Sequence, residues 1–116
     1  MSTAPAPTTP DDRTPTPSPG QRAARLILDS PGIAARTRPH VHEGEVDWAS
    51  LLAEAQTMSG GEAVLVRVAY DLAEARGVVG IWEIPRRLGP ANFARVLEAM
   101  RLAHVWGDTG GVETAA

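Results

Sequence analysis

The sequence predicts a small all-α, or mainly α, domain of three to four helices with a helix-turn-helix-like outline and a disordered N-terminal arm. Three observations carry this expectation. Apolar residues recur at helical spacing from residue 46 onward, and a Ser-Gly-Gly-Glu capping box at 59–62 opens the strongest of these patterns. Eight of the ten prolines fall in residues 1–39, which sets a proline-rich stretch apart from the remainder.

Residues 1–20 hold Pro, Thr, Ser, Ala and Asp, with Met1 as the one large apolar side chain. Such a segment buries too little apolar surface to offset the entropy of ordering, so a disordered arm with polyproline II character is expected. Residues 21–45 read as a linker carrying a short motif, Leu26-Ile27-Leu28, ahead of a Pro31-Gly32 turn. The motif either packs on the domain or orders only on a partner; the pattern alone does not separate the two.

The helical domain is expected over 46–106. Trp48, Leu51, Leu52, Ala55 and Met58 mark a first helix at about 47–57, capped by Asp47 and stapled by Val46 against Leu51. Ser59 and Glu62 start a second, at about 60–76, whose Leu65, Val68, Ala69, Leu72 and Ala75 form one face. Val64, Val66 and Tyr70 widen that face enough to place this helix in mid-core, and Gly77 is the expected C-terminal stop. Val78, Val79 and Ile81 then favour an extended piece, and one or two helical turns starting near Pro85 end at Gly89. Pro90 opens a last helix with Phe93, Val96, Leu97, Met100 and His104 on its apolar side and a Leu88/Phe93 staple. Residues 107–116 are glycine-rich and read as a flexible tail.

Composition excludes much chemistry. The chain has 116 residues and no cysteine, and its 11 basic residues are all arginine, which removes thiol nucleophiles, thiolate metal sites and Schiff-base lysines. Met58-Ser59-Gly60-Gly61-Glu62 resembles the signature loop of ABC transporter ATPases. That loop works beside a P-loop lysine, and with no lysine in the chain the helix cap is the better explanation. His40-Val41-His42-Glu43-Gly44-Glu45 gathers metal-ligand types, but it is expected to be a solvent-exposed stretch, so no metal site is assigned. Ser18, Ser30, Ser50 and Ser59 lack a nucleophile elbow, and Asp71 with Glu74 reads as a charged helix face. A folded core of about 60 residues leaves little room for a substrate pocket of ~300 Å3. No catalytic residue, cofactor or small-molecule substrate is therefore expected.

Two binding functions remain. The first is a protein-interaction or assembly module that meets another protein or a second copy of itself, with Trp82, Arg86, Arg87 and Trp106 as partner-binding residues. The alternative is a helix-turn-helix DNA-binding regulator, in which Arg86 and Arg87 meet phosphates while Asn92 and Arg95 read the major groove. Charge disfavours the alternative: residues 46–106 carry six arginines against seven acids, a net −1, and phosphate contacts supply most affinity for DNA. With neither a charged-then-apolar leader nor a long apolar run, the chain is expected to be cytoplasmic and not membrane-bound.

Overall fold

A computed structural model describes residues 17–104. Within them the chain is mainly helical. The elements in order are α1 (Pro19–Leu28), α2 (Ala34–Thr37), a 3-10 turn (Arg38–His40), β1 (Val41–His42), β2 (Glu45–Val46), α3 (Trp48–Ala55), α4 (Gly60–Glu74), α5 (Glu83–Arg87) and α6 (Pro90–Ala103). Trp106, the expected tail and residues 1–16 of the expected arm lie outside the described residues.

The largest departure from expectation is α1, which starts inside the expected arm and runs into the expected linker. Ser18 builds a second capping box: its Oγ accepts from the N–H of Gln21 at 3.1 Å, and Gln21 Oε1 accepts from the N–H of Ser18 at 2.8 Å. Pro19 follows at the first helical position, where a missing N–H costs nothing. Ala23, Ala24, Ile27 and Leu28 are buried, and α4 and α6 both pack on α1. The core therefore begins at residue 23, not 46. Small residues make this possible: a Cβ at Gly20 would stand 2.2 Å from the carbonyl oxygen of Leu72, so only glycine allows the start of α1 to meet α4.

The rest of the expected linker is also ordered. Pro31-Gly32 turns as expected, with the N–H of Ile33 donating to the carbonyl of Ser30. Beyond it the buried Thr37 hydroxyl donates to the Leu28 carbonyl at 2.9 Å, fastening α2 to the end of α1. A two-stranded antiparallel hairpin, which the sequence pattern did not announce, pairs Val41 with Val46 and His42 with Glu45. Its turn residues Glu43 and Gly44 have φ of 54° and 84°, the left-handed pair that suits the twist of a two-residue hairpin. Arg36 then reaches across to Glu54 on α3 at 2.7 Å. Asp47 caps α3 as expected, accepting from the N–H of Ser50 at 3.2 Å.

Helix α4 is the central helix. Ala63, Val64, Leu65 and Val66 are consecutive and all buried, so this turn is enclosed on every side. The Ser59/Glu62 box caps it at 3.3 and 3.2 Å. It ends at Glu74, two residues earlier than expected, because Ala75 takes the left-handed conformation (φ 55°) and Gly77 (φ 72°) sits further along the loop. The expected extended piece at 78–82 does not form a strand. Both carboxylate oxygens of Asp71 accept from this loop, from the N–H of Val78 at 3.0 Å and of Val79 at 2.8 Å, which removes those donors from any strand partner.

Helix α6 spans the expected residues but presents a different face. Val96 and Ala99 are buried and Ala103 packs against the core, whereas Leu97 and Met100 are 47% and 42% exposed. The face is set by α1, a neighbour absent from the expected layout, on which α6 packs with Ala99 fully buried.

Candidate interaction surface

Val79, Ile84 and Leu88 rest partly buried against the edge of the core, and polar contacts fix the remainder of α5 and the loop before it. Glu83 is the centre: its Oε2 accepts from the N–H of Gly80 at 2.9 Å, and its Oε1 accepts from Arg67 of α4 at 2.8 Å. The Gly80 N–H holds this carboxyl below the usual carboxylate range; burial works against the shift, while Arg67 and then Arg87, 4.0 Å away, reinforce it. The far end of α5 rests on the start of α4. A Cβ at Gly61 would stand 2.9 Å from the Arg87 carbonyl oxygen, so the glycine pair of the capping box also makes room for α5.

On this platform stand the most exposed apolar side chains of α5 and its loop: Ile81 (78%), Trp82 (55%) and Val78 (45%). The Arg86 guanidinium carbon lies 5.5 Å from the centre of the Trp82 ring, in cation–π range. Pro85, Arg86 and Arg87 are exposed beside it. Trp48 makes the contrast, since it is half-buried with its ring centroid 5.2 Å from that of Tyr70. Of the expected partner-binding residues, Trp82, Arg86 and Arg87 thus share one surface, and Trp106 is outside the described residues.

The residues expected to read DNA, Asn92 and Arg95, lie one turn apart on α6. Asn92 is half-buried, and Arg95 donates from Nη1 to the Leu26 carbonyl at 2.9 Å, tying α6 to α1. The outward side of α6 instead carries Leu97, Met100, Leu102 and a Glu98–Arg101 pair at 3.8 Å.

Elsewhere, His40 is taken up structurally: its Nδ1 shares a hydrogen bond with Ser50 Oγ at 2.7 Å, and its Nε2 lies 3.8 Å from Glu54. Among the described residues no group of three or more His, Asp or Glu side chains is placed to hold a metal. A cavity of about 350 Å3 does exist, lined by Arg25, Leu28, Asp29, Thr37, Arg38 and Val41, although the size of the core left little room for one. The hydroxyl in its wall, that of Thr37, is directed at the Leu28 and Ala34 carbonyls. Among the described residues no helix is long and apolar enough to cross a membrane.

No family model, curated protein or solved structure matches the chain. Its function has to be read from its own geometry. That geometry adds Ile81 and Val78 to the surface, with Glu83, Arg67 and Asp71 beneath it. The spacing Glu83/Arg87 was a visible helical pair, but nothing local tied Arg67 or Asp71 to a loop seven or more residues away.

Proposed function

We propose that the chain is a non-catalytic helical interaction module that meets its protein partner through α5 and the preceding loop. One observation carries the reading: Ile81 and Trp82 are 78% and 55% exposed on a segment held in place by Glu83 and Asp71. Leaving much of two large side chains in water forfeits a good part of the roughly 1.5–3 kcal/mol that full burial of each would supply, so a partner that covers them gains it. An aromatic ring held by a neighbouring arginine is also preorganised, losing little rotamer entropy on docking.

DNA binding is the second reading, and the exposed pair Arg86 and Arg87 at the turn before α6 is the observation that favours it. Sedimentation of the full chain over a range of concentrations and a salt titration against mixed-sequence duplex DNA separate the two. Self-association, or capture of a partner, that is lost in Trp82→Ala is the expected result. Tight duplex binding that falls steeply with salt and is abolished by Arg86→Ala/Arg87→Ala, with no effect of Trp82→Ala, would replace the first reading by the second.

A further inference from the structure

We infer that the partner segment docked on this surface is an acidic peptide with an apolar anchor; this deepens, and rests on, the interaction-module reading. The exposed and weakly paired guanidiniums of α5 are the reason. Three acids of α4 and α5 are already engaged internally: Glu62 in its capping box, Asp71 with the N–H groups of Val78 and Val79, and Glu83 with Gly80 and Arg67. Glu74 and Arg76, on either side of the α4 C-cap, offset one another. Arg86 has no ion-pair partner among the described residues, and for Arg87 the nearest is the already engaged Glu83 at 4.0 Å. The acids and arginines of residues 60–88 balance in number, but the exposed guanidiniums of Arg86 and Arg87 stand beside exposed Ile81 and Trp82 with most of their hydrogen-bonding capacity unmet.

A segment that complements this surface must bring both halves. Its aliphatic or aromatic side chain covers Trp82 and Ile81, and its Asp or Glu side chains meet the two guanidiniums in charge-assisted hydrogen bonds. Arg86 serves both, because a guanidinium over an indole face keeps its outward N–H groups available. Duplex DNA supplies negative charge but no apolar anchor for Ile81 and Val78, and Arg95, the side chain expected to read its bases, is tied to Leu26. A basic or neutral peptide supplies the anchor without the charge.

The test is an NMR titration of the isotope-labelled full chain with synthetic probes: a leucine/aspartate peptide, leucine/lysine and leucine/serine peptides of equal length, and a mixed-sequence duplex. The aspartate peptide is expected to move resonances within 78–88 and to weaken several-fold between ~50 and ~300 mM salt. Trp82→Ala should weaken it about tenfold, as expected of an aromatic anchor. Arg86→Glu/Arg87→Glu should transfer the preference to the lysine peptide. These residues are exposed, and unchanged resonances from α1 and α4 report that each variant keeps its fold. If the three peptides bind 78–88 equally, the acidic partner is refuted and the interaction module stands. If the aspartate peptide produces no shifts there at ~1 mM, an affinity still measurable for weak docking, the inference also falls. Shifts from the duplex alone, at 78–88 and along α6, would overturn both.

Discussion

The helices α1, α4 and α6 and the short helix α5 are held by different forces. In the first group the contact is apolar and close: Ile27, Leu65 and Val96 have no exposed surface, and Gly20 lets the backbone of α1 approach the Leu72 carbonyl of α4. In α5 no residue is fully buried: Ile84 and Leu88 only rest against the edge of the core, and the geometry is fixed by two carboxylates, Glu83 and Asp71, that accept from loop N–H groups. Apolar packing gives stability without direction, so it suits a scaffold. Directional hydrogen bonds fix geometry while leaving side chains free to face outward, which suits a surface that must meet something else.

The comparison breaks most sharply on the core side. Ile27→Ala should cost about 2–5 kcal/mol in chemical denaturation, the usual range for deleting a fully buried branched side chain. A loss under 1 kcal/mol would show that α1 is not the third wall of the core. Gly20→Ala is the more pointed variant, because alanine inside a helix normally stabilises. Here the added Cβ meets the Leu72 carbonyl, so a loss of about 1–3 kcal/mol is expected, and a rise in melting temperature would contradict the close approach.

On the α5 side the effects are local. Glu83→Gln should leave the core midpoint nearly unchanged and raise hydrogen exchange at Gly80. The pH dependence has a definite sign: the folded carboxyl titrates below its unfolded value, so its contribution is present above the unfolded value and lost as pH falls through the folded one. The Gly80 amide shift should follow that acid titration in the parent chain and not in Glu83→Gln. Trp82→Ala should be the smallest of all on stability, within about 0.5 kcal/mol, as for a surface substitution. A larger loss would mean that Trp82 supports the fold.

Much of the fold is legible locally. Capping boxes, the Asp47 cap and Pro90 each act within one turn of chain, so the starts of α3, α4 and α6 could be read directly, and the face widened by Val64, Val66 and Tyr70 announced a central helix. The Ser18-Pro19-Gly20-Gln21 box was equally readable but lay among prolines that suggested disorder. For the surface, Trp82, Arg86 and Arg87 were recoverable as an exposed aromatic near basic residues, whereas Ile81 looked like part of a strand. Its loop owes its shape to Asp71, and a contact seven or eight residues away leaves no periodic trace.

By itself, the sequence determined the mainly helical class, most helix starts, and the absence of thiol and lysine chemistry, because all of these depend on residue type or on spacing within a few residues. Tertiary structure alone decided that residues 19–45 belong to the fold, which side of α6 is buried, and that Arg95 is tied to α1 while Trp82 stays out. Those outcomes depend on which surfaces meet across the chain, and burial is a property of the pair of surfaces rather than of either stretch.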